Sequence, residues 1–470
     1  MSLTSLTYLV FLFVCVCAYY ILPRQAKELS LLAFSVFFYA YAMPKQLLIM
    51  MLYIWLAFAI GRGINKTTGG IRKFLLITGI LASAGFLFFY KYLEFTLSIF
   101  GFEGIEFSLI VPIGISYITF QCIAYMVDLY KGKIEVITNP VSFFVYTLLF
   151  MKVTAGPIES PKHFFESLYS DKLPEWKEML QGLMLMAMGF VKKMVVADAL
   201  APYIAKILDN PVDKDGLSVF LGAIMYSLQI YFDFSGYTDI ARGSAQLFGI
   251  SLTENFKHPY LSKNVREFWR RWHISLSDWL KNYIYIPLGG SRVGTIRRYF
   301  NVVMVFLVSG VWHGASITFI VWGLLHGIFQ VVEMVFEPFM EKVREVLHIK
   351  KDGIVHSAVA GTSTFLLVTL AWIFFRASSI EQALTIVARI FTPWKNIVWV
   401  YENHLPDMKL LILIVVGVVF TWIAEFLAKD SKKINGKALL VAVVAIWLVF
   451  IALVFTSGTD AVNSFIYFDF

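Results

Sequence analysis

The sequence predicts an all-α, polytopic membrane protein, and three observations carry that prediction. Of the 470 residues, 59% are hydrophobic and only 15% are charged, which is too little polar surface to cover a soluble domain. The apolar runs are of helix length rather than the roughly ten-residue alternating segments of a membrane barrel. A chain in lipid must also satisfy its backbone amides internally, which a helix does within one segment.

Thirteen apolar runs succeed one another, at 5–22, 28–42, 46–61, 74–90, 108–127, 139–156, 179–197, 217–238, 300–313, 315–336, 356–375, 409–428 and 437–456. They correspond to eleven to thirteen membrane segments. The pairs 28–42 with 46–61 and 300–313 with 315–336 are short or interrupted by Gly and Pro, as in tilted or re-entrant helices. The first run has no basic stretch ahead of it and no small-x-small cleavage site, so it reads as a retained helix rather than a signal peptide. Arg24 and Lys27 fall in the first connection, Lys45 alone in the second beside Pro44, and Arg62, Lys66, Arg72 and Lys73 in the third. Basic connections stay in the cytoplasm, so the N-terminus is expected outside. Attraction of such connections to anionic lipid accounts for the net charge of +8 without nucleic acid. Cys15, Cys17 and Cys122 lie in apolar runs without CxxC spacing and read as small hydrophobes. No internal repeat or low-complexity linker divides the chain, so residues 1–470 are expected to form one membrane domain.

Three stretches hold the polar chemistry. Tyr231-Phe232-Asp233-Phe234-Ser235-Gly236-Tyr237-Thr238-Asp239 is expected to end an apolar helix and carries two carboxylates, and Lys192-Lys193 upstream is expected to mark another helix end. Residues 251–299 are the most polar long stretch. Within it Val265, Phe268, Trp269, Trp272, Leu276, Trp279 and Leu280 recur at three- and four-residue spacing. That spacing predicts an amphipathic helix with an aromatic stripe, interfacial or re-entrant, with His273 at the stripe's edge. Gly289-Gly290 reads as a turn after Pro287, since no Lys-Ser/Thr helix start follows to make a phosphate loop. Residues 299–332 contain no Asp, Glu, Lys or Arg over 34 positions, whereas one span of the membrane needs about 20. His313, in Ser309-Gly310-Val311-Trp312-His313-Gly314, is therefore expected near mid-depth, where polar groups face a protein interior or a water-filled cavity.

Neutral histidine is the usual general base near pH 7. His313 and His273, with Trp312, Asp233, Ser235, Asp239, Arg270, Arg271, Ser275 and Tyr285 as candidate lining, suit proton abstraction from a hydroxyl. Buried charges tend to be paired, so Asp233 and Asp239 are expected to meet Arg270, Arg271 or Lys192. Arg270 and Arg271 suit either a phosphate of a nucleotide thioester or lipid headgroups. The Trp269, Trp272 and Trp279 stripe suits an interfacial aromatic belt. His326 is read as core packing, and His163, His258, His348, His356 and His404 as loop or interface residues. The two candidate histidines are 40 residues apart with no His-x-x-His or His-Glu-x-x-His spacing, so no metal site is expected.

Arg-Trp-His-Ile-Ser-Leu-Ser around His273 and Trp-His-Gly around His313 resemble the membrane-bound O-acyltransferase (MBOAT) family, above all its bacterial branch that acetylates alginate. The resemblance extends to Val111-Pro112-Ile113-Gly114-Ile115-Ser116, Ala155-Gly156-Pro157-Ile158, Val191-Lys192-Lys193 with Ala197-Asp198, Tyr285-Ile286-Pro287-Leu288-Gly289-Gly290-Ser291-Arg292 and Trp372-Ile373-Phe374-Phe375-Arg376-Ala377. It implies a ring of helices around a central tunnel that crosses the membrane at the paired histidines. His313 would be the base that deprotonates the acceptor, and His273 would position the thioester or stabilise the oxyanion. The donor implied is cytoplasmic acetyl-CoA, with no tightly bound cofactor. The acceptor would be an extracytoplasmic polysaccharide, reached directly or through an SGNH-type partner transferase, and the location the bacterial cytoplasmic membrane. The D-alanyl-transferring branch, which draws on an acyl-carrier protein and modifies teichoic acid, shares both histidine motifs and is the alternative. A glycan transporter would use the same intramembrane charges but predicts internal repeats, and a non-catalytic scaffold would leave His313 dispensable.

Overall fold

The computed structural model describes residues 1–102, 109–170, 173–348, 350, 353–430, 434–457 and 465–466. Among them all regular structure is helical, and one isolated antiparallel bridge joins Phe256 to Trp272. The helices gather into two compact units, Met1–Val191 with Gly236–Glu254 and Val419–Leu453, and Lys192–Ser235 with Asn255–Val418 and Val454–Phe470.

The first unit opens with α1 (Leu6–Ile21), α2 (Arg24–Ala42), α3 (Pro44–Lys66), α4 (Gly69–Lys91), α5 (Leu93–Ile99), α6 (Ile115–Tyr130), α7 (Pro140–Leu148), α8 (Pro161–Leu168) and α9 (Trp176–Phe190). Their starts are local chemistry. Proline occupies the first turn of α3, α7 and α8, where its missing N–H costs nothing. Ser5, Asn139 and Ser160 side chains accept the first free amides of α1, α7 and α8. Gly114 precedes α6 at φ 72°, where a β-carbon would collide with the Val153 carbonyl.

Beyond α9 the chain continues as a π-helical stretch, Val191–Ala197, into α10 (Asp198–Leu208), and then α11 (Gly216–Gln246). Backbones of α9 and the end of α11 approach closely at two glycine positions. Gly182 lies against the Gly243 carbonyl and Gly189 against that of Gly236, the small-residue contact that lets membrane helices touch. Leu180, Met184, Ala187 and Met188 on the other side of α9 form a core with Ala424, Leu439, Val443 and Ile446.

The second unit holds α12 (Val265–Arg271), α13 (Ile274–Leu280), α14 (Thr295–His313), α15 (Ile317–Val346), α16 (Ile354–Arg376), α17 (Ile380–Ile390) and α18 (Ile397–His404). The chain then runs through α19 (Met408–Asp430) and α20 (Gly436–Ser457). α14 and α15 make a tight hairpin, because Gly310 and Gly323 face one another and a β-carbon on either would strike a backbone carbonyl, of Phe319 or Phe306.

Each of the thirteen apolar runs has a helical counterpart, although residue 108 of the fifth lies outside the described residues. Seven helices, α3, α4, α11, α15, α16, α19 and α20, are long and apolar enough to cross a membrane among the described residues. The chain is a multi-pass membrane protein. The other six counterparts are shorter or carry charge. α2 holds Arg24, Lys27 and Glu28, and α14 holds Arg297 and Arg298.

Three expectations change. The run 139–156 is not one helix: α7 ends at Leu148, and the following turn folds Lys152 back so that its Nζ donates to the Tyr146 carbonyl at 2.5 Å and to Gln121 Oε1 at 2.6 Å. The carbonyls freed at a helix end satisfy this buried ammonium. Tyr231–Asp239 does not end its helix, since α11 runs on to Gln246. The amphipathic stripe is not one helix but two, broken at Trp272 and His273. The uncharged run 299–332 divides at Gly314–Ser316, between the apolar runs 300–313 and 315–336, and His313 ends α14.

Candidate active site

His273 occupies the break between α12 and α13 at φ 43°, ψ 55°, a left-handed conformation that few residues other than glycine adopt. Trp272 before it is extended and forms the bridge to Phe256, while the Lys257 N–H donates to the Arg271 carbonyl at 2.9 Å. The imidazole is fully buried, and neither ring nitrogen makes a hydrogen bond among the described residues. It lies edge-on to Phe234 of α11, with ring centres 4.8 Å apart, and 6.2 Å from Trp312. Removal from water disfavours the imidazolium, so His273 is held as neutral imidazole.

His313 is 4% exposed at the end of α14. Its ring sits 4.9 Å from Trp312, 4.9 Å from Trp322 and 5.3 Å from Phe375. Trp312 thus contacts both histidines. The chamber is closed by Trp372, which touches Trp272 and Trp322 at 5.0 and 5.7 Å. His326 shares the Trp322 wall at 5.1 Å and accepts the Trp269 indole N–H on Nδ1 at 3.2 Å. It is the packed core histidine the sequence suggests. The arrangement gives two buried imidazoles, aromatic walls and few competing charges, an environment suited to proton transfer away from bulk water.

The other candidates distribute unevenly. Ser275 is buried two residues past His273, and its N–H is held by Asn255 Oδ1 at 3.0 Å. Asp233 and Ser235, both 1% exposed, flank Phe234 on α11. Asp233 pairs with Lys193 at 2.6 Å, and the same ammonium holds Asp198 at 2.8 Å. Asp239 pairs with Arg242 at 3.5 Å. Asp233 thus takes Lys193, a partner outside the expected set of Arg270, Arg271 and Lys192. Arg271 pairs with Glu267 at 2.6 Å, and Arg270 is exposed. The physical reason is position: Arg271 reaches Glu267 of its own helix, Arg270 is exposed, and Lys193 lies on the π-helical stretch within 2.6 Å of Asp233. Tyr285 is half-buried in the π-helical turn Lys281–Tyr285. Sequence reasoning missed Asn255, Lys193, Trp322 and Trp372. Trp372 and Lys193 carried a signal, their places in recognised motifs, although neither was assigned a role.

Residues 117–380, more than half of the chain, match the family model described as MBOAT, membrane-bound O-acyltransferase family. A probable alginate O-acetylase of Pseudomonas aeruginosa is 33% identical over 388 residues, covering 80% of this chain and 71% of its own. A peptidoglycan O-acetyltransferase of Helicobacter pylori is 35% identical over 415 residues, covering 78% and 75%. A teichoic acid D-alanyltransferase of Bacillus subtilis is 28% identical over 257 residues, covering 50% of this chain and 62% of its own.

Proposed function

The chain belongs to the membrane-bound O-acyltransferase family and is an acyltransferase, and from that premise we propose that it takes acetyl from cytoplasmic acetyl-CoA for O-acetylation of an extracytoplasmic polysaccharide or peptidoglycan. The pair of buried histidines joined through Trp312 carries the reading. The acetyl assignment draws on the two O-acetylating relatives, which share more identity over more of the chain than the D-alanyl-transferring one. The host membrane is the bacterial cytoplasmic membrane. The acyl group leaves it either directly on the glycan or on a residue of an SGNH-type partner transferase.

In this mechanism neutral His313 removes the proton of the acceptor hydroxyl as its oxygen attacks the thioester carbonyl. His273, in its protonated-at-one-nitrogen neutral form, donates that N–H to the developing oxyanion. Collapse breaks the C–S bond, and the departing thiolate recovers the proton from His313. General acid–base catalysis of this kind contributes about 10²- to 10⁴-fold. Neither His273 ring nitrogen bonds a carboxylate among the described residues, which fits a role for neutral imidazole, since a carboxylate neighbour would favour the cation.

Transfer of radiolabelled acetyl from acetyl-CoA by the purified chain in nanodiscs, compared with His313→Ala, tests this. A loss of at least about 100-fold with unchanged folding is expected. Equal transfer by both proteins overturns the role of His313. The D-alanyl relative motivates a second reading. Consumption of a D-alanyl-loaded carrier protein, with acetyl-CoA left intact, would replace the first reading by that one.

A further inference from the structure

Asn255 is 1% exposed and meets the backbone immediately after His273 at two points. Its carbonyl accepts the Ile274 N–H at 3.1 Å, and its side-chain Oδ1 accepts the Ser275 N–H at 3.0 Å. The next two residues continue the hold, Phe256 through its bridge to Trp272 and Lys257 through its N–H to the Arg271 carbonyl. Residues 255–257 therefore grip the chain on both sides of His273, the one non-glycine residue of the site in the left-handed region. Such a conformation persists only when its surroundings over-determine it. The Nδ2 of Asn255 is buried and makes no hydrogen bond among the described residues, so the carboxamide contributes its acceptor and not its donor to the grip.

We propose that Asn255 is a positioning residue of the acyl-transfer site: by holding the first two amides of α13 it fixes the His273 imidazole in the aromatic chamber against Phe234 and Trp312. The proposal rests on the reading that His273 serves acyl transfer. Asn255→Ala removes the side-chain acceptor and leaves the main-chain bond to Ile274 in place, so the local fold retains half of its hold. Asn255→Asp keeps an acceptor at the same distance.

The test uses the full chain in nanodiscs with acetyl-CoA, in Asn255→Ala, Asn255→Asp, His273→Ala and the Asn255→Ala/His273→Ala double variant. Amide exchange at 272–277 is measured beside the kinetics. Asn255→Ala is expected to lower kcat by about 10- to 100-fold, the scale of a misplaced group, with KM for acetyl-CoA within about twofold. It should accelerate exchange at Ile274 and Ser275 and add no loss on top of His273→Ala. Asn255→Asp should stay within about threefold of wild type. Wild-type kcat in Asn255→Ala, multiplying losses in the double variant, or an Asp variant as impaired as Ala each overturn the proposal. If Asn255→Ala does not purify as a folded protein, Asn255→Ser, whose hydroxyl is too short for the Ser275 N–H, takes its place with the same expectation. If His273→Ala transfers acetyl normally, the functional reading fails, and unchanged or faster exchange at 274–275 still decides whether Asn255 holds this turn.

Discussion

His163 shows how a single side chain can set a pH response away from the candidate site. Its Nδ1 lies 2.8 Å from Glu159 Oε2, and Glu159 also accepts the Thr253 N–H and hydroxyl at 2.6 and 2.9 Å. The hydrogen bond to Glu159 raises the His163 pKa above its ordinary value of 6.5. A group whose pKa is raised on folding stabilises fully below its unfolded pKa and loses that contribution as pH rises through the folded value. His163→Gln should therefore lower stability at about pH 5.5 and cost progressively less as pH rises through and above that raised pKa. The difference stays under about 1 kcal/mol because the imidazole is nearly half exposed and screened. Thermal unfolding across that pH range reads it, and a penalty that grows with pH would contradict the assignment. Lys193 is the opposite case, an ammonium 2% exposed between two carboxylates. Lys193→Met should cost about 3–5 kcal/mol, because it strands buried charge. Adding Asp198→Asn and Asp233→Asn should restore much of it, and unfolding midpoints in detergent distinguish the variants.

Elements were the more legible level, and their phase the less legible one. Apolar runs found a helix in every instance because burial in lipid demands one, whatever the local propensities. Charge placement failed where helical phase changed. The π-helical stretch 191–197 adds a residue per turn, so a 3.6-residue extrapolation could not say that Lys193 would meet Asp233. The break at His273 was hidden for another reason. Trp269, Trp272, Leu276 and Trp279 keep helical spacing straight through it, and no composition marks a left-handed histidine. The histidines themselves were readable, because a polar residue in an uncharged run stands out. Their shared contact with Trp312 was not. The α14–α15 hairpin depends on contact between Gly310 and Gly323. Gly323→Val should separate the helices, lower the unfolding midpoint, and reduce acetyl transfer at least about 10-fold by moving His313. An unchanged midpoint with full activity would show that the hairpin tolerates a wider spacing.

At the scale of the molecule, the share of each helix that is buried separates lipid-facing from interior elements. Candidate spans in α4 and α19 are each only 17% buried and that in α20 28%, whereas α11 is 61% buried. Exposed Leu81, Trp422 and Leu448 are therefore suited to acyl chains rather than to water. α11, the most enclosed of these spans, is the one that carries Asp233 and Phe234. The proposed reaction requires a thioester on one side of the membrane and a hydroxyl on the other. The direct measurement places labelled acetyl-CoA outside sealed proteoliposomes and a polysaccharide acceptor inside, with wild type and His313→Ala reconstituted in parallel. Label on the enclosed acceptor with wild type, and none above background with His313→Ala, is the predicted result. Label appearing equally with both proteins, or only on acceptor placed on the same side as acetyl-CoA, would contradict transfer across the membrane through His313.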